Sequence, residues 1–135
     1  MDLSAGTVLK LFVTDTNPPK TKRFIIVGFD DDKVRLAYVY INTGINRNFA
    51  WSIELECLHL KLEARGRAYL DHDSWVDCSD IIIKETSEIL DLVNKRTEAI
   101  TGHLNNEDFR DIITLLRSSP KIKGKIKKRF GLYEI

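Results

Sequence analysis

Residues 23–40, RFIIVGFDDDKVRLAYVY, set two apolar runs around a polar break. Arg23 to Phe29 is almost unbroken apolar sequence, while Val34, Leu36, Tyr38 and Tyr40 alternate with other residues. Strand pleating gives side chains a period of two, so both runs predict β-strands. Asp30-Asp31-Asp32-Lys33 between them predicts a hairpin, although it lacks the glycine that a two-residue turn prefers. Upstream, Leu9, Leu11 and Val13 alternate as well, so the first half of the chain reads as β-rich.

Between that first run and Arg23 lies a loop with Pro18 and Pro19, and the cations Lys20, Lys22 and Arg23 fall within four positions. The chain as a whole carries a net charge of only +1. Net charge therefore points to no partner, and local clustering is what could. A second cationic centre is KIKGKIKKRFGLYEI, residues 121–135, which has no acidic residue before Glu134.

Downstream of the hairpin, Ile53, Leu55 and Cys57 share one period-two face, and Leu58, Leu60 and Leu62 continue one position out of phase. A bulge near Cys57 or Leu58, or a junction of two elements, accounts for the slip. Arg65-Gly66-Arg67 predicts a turn, and a further strand is expected from Trp75 to Ile83. After Lys84 the period becomes helical: Ile89, Leu90, Leu92 and Val93 fall on one face, with Thr86 or Ser87 as cap and Gly102 as the end of this helix or its extension. Asn105 is expected to cap a second helix with Leu104 stapling onto Phe109, and Phe109, Ile112, Ile113 and Leu116 make its buried stripe. Pro120 closes that helix. Ile122, Ile126 and Phe130 recur every four residues, which suits a short amphipathic helix.

A length of 135 residues, 43% hydrophobic and 30% charged, fits one soluble globular domain, 1–135, with 120–135 as its basic C-terminal segment. The first residues lack a signal-peptide pattern, Cys57 and Cys78 read as reduced thiols, and no apolar run reaches bilayer length. The expectation is a cytoplasmic protein with no membrane contact. The simplest organisation is one β unit followed by helices, an α+β fold.

Three stretches, PPKTKRFIIVG, YLDHDSWVDCSDIIIK and ITGHLNNEDFRDIITLL, in this order, resemble the MazF/PemK family of toxin endoribonucleases, which are small SH3-like β-barrels with helical additions. The resemblance implies an SH3-like barrel followed by C-terminal helices. It also implies cleavage of single-stranded RNA by the substrate's own 2′-hydroxyl without metal or other cofactor, a homodimer, and an antitoxin protein as partner. Arg23 occupies the place of the family's strand-opening arginine, implying a contact with the scissile phosphate; a guanidinium keeps its charge and offers a planar fork of donors. His59 falls where many relatives carry threonine, and imidazole is a proton-transfer group near neutrality. Lys20 and Lys22 would hold the RNA backbone, and Ser74 matches the start of a family motif. In that motif Asp77 and Ser79 stand where relatives have a cation and a carboxylate, so that version of the mechanism does not carry over.

Two other readings of the same residues stand beside this one. The barrel could be a noncatalytic module that binds RNA or a protein, with Trp51, Phe49, Tyr38 and Trp75 as stacking surfaces. Alternatively His59, His72 and the carboxylates of Asp71 and Asp73 could hold a metal, although adjacent strand residues point opposite ways and a polar turn suits this cluster better.

Overall fold

The computed structural model describes residues 3–13, 18–44 and 53–134. Strands β1 (Thr7–Val13), β2 (Lys20–Phe29) and β3 (Arg35–Asn42) form an antiparallel meander. A one-turn helix α1 (Ile53–Glu56) leads to β4 (His59–Leu62), and β5 (Ser74–Asp77) pairs with both β4 and the end of β3. Strand β6 (Ile82–Glu85) pairs with the start of β3. Helix α2 (Thr86–Lys95), a 3-10 turn (Thr97–Ala99) and strand β7 (Ile100–His103) follow, with β7 beside β1. Helices α3 (Asn106–Ser118) and α4 (Gly124–Arg129) complete the described chain. The result is a curled, mixed α+β arrangement: one antiparallel sheet in the order β4-β5-β3-β2-β1-β7, with β6 on the other half of β3's free edge. No helix among the described residues is long and apolar enough to cross a membrane.

The apolar run of β2 is continuous because both faces of the sheet are covered. Val8, Ile25, Val39, Ile41 and Val76 point to one side, where Ile112, Ile113 and Leu116 of α3 pack with Ile122, Phe130 and Leu132. Leu9, Leu11, Phe24, Ile26 and Tyr38 point to the other, where Ile89 and Val93 of α2 and Ala99 cover them. We call these the α3 face and the α2 face.

The hairpin forms without glycine. Lys33 donates its amide to the Asp30 carbonyl and takes up a left-handed φ of 57°, while the Asp30 side chain accepts from the Arg35 amide. Asp30 thus supplies the local bonding that a tighter glycine turn would otherwise need.

The phase slip near Cys57 is the junction of α1 and β4, so Ile53 is an exposed helical residue and not part of a strand face. The strand expected from Trp75 to Ile83 is two strands. Ser79 donates both its amide and its hydroxyl to the Asp77 carboxylate, a local turn that ends β5 before β6 begins. Neither Thr86 nor Ser87 caps α2, whose N-cap is Glu85. Gly102 does not end a helix either. It lies in β7 opposite Val8, and a Cβ there would stand 3.1 Å from the Tyr69 ring, so the absent side chain serves close packing. Helix α3 follows the expectation: the Asn105 side chain accepts from the Asp108 amide at 2.7 Å, and Leu104 and Phe109 share one apolar cluster.

Candidate functional site

Every strand of the β1–β5 portion of the sheet has one end at a common rim, fixed by register. Val13 faces Lys20, Lys22 faces Leu11, Arg23 faces Ile41, Asn42 faces Trp75, and Ser74 faces Leu62. The cations that open β2 therefore meet the last residues of β3 and β4 and the first of β5.

Directly paired residues of an antiparallel sheet share a face. On the α2 face of the rim this aligns Lys22, Asn42, Trp75 and Lys61 across β2, β3, β5 and β4. The Lys22 ammonium donates to Asn42 Oδ1 and lies 5.0 Å from the centre of the Tyr40 ring. At the other end of the row the Lys61 ammonium lies 5.6 Å from the centre of the Trp75 ring. Burial lowers the pKa of Lys22 below the ordinary lysine value, repulsion from Lys20 adds to the shift, and attraction to Asp77 opposes it. Lys20 and Lys61 are exposed and Trp75 is half-buried.

One pair inward on the same face, His59 of β4 stands opposite Asp77 of β5, with Nε2 3.6 Å from the carboxylate. Only 7% of the His59 side chain is exposed, against 33% for Asp77. Two anchors hold the carboxylate: the Ser79 amide at 3.0 Å and the Ser79 hydroxyl at 2.6 Å. Asp77 thus both ends its strand and stands beside the imidazole.

Arg23 is on the opposite, α3 face, because it is one residue from Lys22 in a regular strand. Its Nη2 donates to Asp71 Oδ2 at 2.5 Å, and its Nε is buried with no hydrogen-bond partner. The sheet therefore separates Arg23 from His59, although both approach the same rim. Lys20 and Lys22 side with His59. Ser74 sides with Arg23 but is buried, and its hydroxyl donates to the His72 carbonyl at 2.9 Å, which shapes the loop rather than facing solvent.

The Asp71-His72-Asp73 cluster disperses. Asp71 goes to Arg23, Asp73 accepts from the Ala64 amide at 2.9 Å, and His72 Nδ1 lies 3.0 Å from the Asp73 carbonyl. Among the described residues no three His, Cys, Asp or Glu side chains converge on a common point as a metal ion would need. Cys78 is buried in the core, which pushes its thiol pKa far up, and Cys57 is exposed. Tyr38 is core, packed against Phe24 with ring centres 4.4 Å apart, so it offers no stacking surface. Phe49 and Trp51 lie outside the described residues.

The basic C-terminal segment is a working part of the core. Phe130 and Leu132 are buried, and the ammonium of Lys127, itself buried, donates to the Arg117 carbonyl at the end of α3 at 2.6 Å. Arg117 Nε donates to the Leu132 carbonyl at 2.5 Å, and Arg129 pairs with Asp30 at 3.6 Å.

Sequence reasoning missed Asn42 and Lys61 as neighbours of Lys22 and did not pair His59 with Asp77. Lys61 follows His59 by two positions in a strand, so its side of the sheet was available from period alone; Asn42 and Asp77 needed the register. The sequence matches no family model and no curated protein.

Proposed function

We propose that the protein binds single-stranded RNA across this rim and cleaves it, as the resemblance to the MazF/PemK toxins implies. The observation that carries the reading is the Lys22–Asn42–Trp75–Lys61 row, which alternates cation, amide, aromatic ring and cation along one line. A single strand offers the complementary series: phosphates for the ammonium groups and unpaired bases for the ring and the amide. Lys61 is exposed and Lys22 and Trp75 are half-buried, so the row is open to a strand laid along it.

Cleavage would use the imidazole below that row. His59 accepts the proton of the 2′-hydroxyl, the 2′-oxygen bonds to phosphorus, and the bond from phosphorus to the 5′-oxygen breaks, leaving a cyclic phosphate. Asp77 orients the ring and stabilises its charged form. Lys22, which releases its proton more readily than an ordinary lysine because of its burial, protonates the departing 5′-oxygen. With this reading go the finer features that the resemblance implies: a small SH3-like barrel, a homodimer in the cytoplasm, and an antitoxin protein that covers the cationic rim.

A second reading, a noncatalytic RNA-binding barrel, is favoured by the position of Arg23, tied to Asp71 on the face away from His59. The two readings separate in one experiment. Purified protein is incubated with mixed single-stranded RNAs, with and without chelator, beside His59→Gln and Arg23→Ala variants of matched folding. Cyclic-phosphate products lost in His59→Gln support cleavage; binding without products supports the module; neither binding nor products removes both.

A further inference from the structure

We infer that Asp71 gates the phosphate contact that the resemblance implies for Arg23, filling as a displaceable stand-in a subsite that Lys10 completes on the α3 side of the rim. This inference rests on the RNA reading above and adds a gate to it.

Three observations lead there. First, Lys10 of β1 is paired directly with Arg23 of β2, so two cations share one face at a cross-strand position where like charges repel. Second, the guanidinium is only partly used. Its Nη2 meets one oxygen of Asp71, while the neighbouring Nε, the other donor of the same side-on fork, is buried and has no partner. A phosphate presents two oxygens to such a fork and would engage both donors, which Asp71 in its present position does not. Third, the acid is placed to leave. Its side chain is 75% exposed against 20% for Arg23. The loop that carries it is held on either side, by buried Leu70 and by the Asp73 bond to the Ala64 amide, so a side-chain rotation frees the guanidinium without moving the backbone.

The consequence is that an RNA strand crossing the rim meets Lys22 and Lys61 on one side and must displace Asp71 to reach Arg23 on the other. Asp71 sets affinity by competing with phosphate.

Two readouts test this. The first is anisotropy of a fluorescein-labelled single-stranded RNA of mixed sequence with the wild type, Asp71→Asn, Arg23→Gln, the double variant, and Asp31→Asn as a control for net charge at the far hairpin. Asp71→Asn should bind about tenfold more tightly, Asp31→Asn should change little, and the double variant should match Arg23→Gln. The second is the ¹⁵N–¹H signal of the Arg23 Nε on addition of inorganic phosphate, which should move at lower phosphate in Asp71→Asn than in the wild type. Equal phosphate response in the two proteins overturns the gate, whatever RNA does. A phosphate response with no RNA binding keeps the subsite and removes the RNA reading. An RNA gain shared equally by Asp31→Asn overturns the gate as well.

Discussion

Two stretches of this chain are rich in positive charge, and the fold uses them in opposite ways. The C-terminal segment puts its ring and aliphatic side chains into the core and spends part of its charge on structure: Lys127 neutralises the carbonyl end of α3, and Arg129 reaches Asp30. The opening of β2 instead places Lys20 and Lys22 at a rim, with Lys22 in line with an aromatic ring and another lysine from strands far away in sequence. A charge run therefore says little until the apolar residues within it are assigned. Ile122 and Phe130, which flank the short helix α4, and Ile126 within it anchor the C-terminal segment to the core, whereas the strand after Lys22 commits only residues from Phe24 onward to the interior.

The comparison can be broken most forcefully at the core side. Phe130→Ala should destabilise the protein by about 3–5 kcal/mol in a urea titration, because a fully buried ring leaves a cavity between α3 and the sheet. Gly28→Ala is a sharper version. A Cβ on Gly28 would stand 2.3 Å from the Phe130 carbonyl, so the last turn must lift from β2 for the variant to fold. A cost under about 1 kcal/mol for both would show that this segment is not held in the core.

Next in size is Lys127→Ala, which leaves the Arg117 carbonyl without its charged donor and should cost about 1.5–3 kcal/mol of stability with RNA affinity unchanged. The mirror-image result is expected at the rim. Lys22→Ala should leave the melting temperature nearly constant, weaken RNA binding about uniformly across sequences, and lower the slope of log affinity against log salt by about 1.

The smallest effect is in pH. The folded pKa of Lys22 is depressed, so its charge, and its attraction for phosphate, is lost at lower pH than an ordinary lysine's would be. The same depression makes its charged form unfavourable for folding, so this group's drag on stability is present at low pH and disappears as pH rises through the folded pKa toward the unfolded value of 10.5. RNA affinity of the wild type should therefore begin to fall on the alkaline side earlier than that of Lys22→Arg, whose charge persists. Identical alkaline profiles would place Lys22 away from the RNA.

Much of the architecture could be read from periodicity alone. The β2–β3 hairpin, the α3 cap at Asn105 and the buried stripe of Ile112, Ile113 and Leu116 follow from local patterns that the packing reinforces. Strand β7 could not be read. Ile100-Thr101-Gly102-His103 is too short to show a period, and what makes it a strand is the free edge of β1, a partner more than ninety positions away. The break between β5 and β6 was hidden for a related reason: the apolar pattern runs on through Cys78, and the turn comes from one carboxylate accepting two bonds from Ser79. At the site, residue types were legible and sides were not. Arg23 and His59 were named together, but strand parity puts them on opposite faces, and only register reveals that Asn42, Trp75 and Lys61 stand in line with Lys22.

The central claim is that RNA meets the rim and not the C-terminal cations. The most direct measurement is the affinity of a labelled single-stranded RNA at fixed salt for Lys22→Ala/Lys61→Ala and for Lys123→Ala/Lys125→Ala/Lys128→Ala, each set exposed or half-exposed and each checked for folding. The account predicts a loss of about tenfold or more in the first protein and little change in the second, although the second removes more charge. A larger loss in the C-terminal variant, with the rim variant binding as the wild type does, would contradict it.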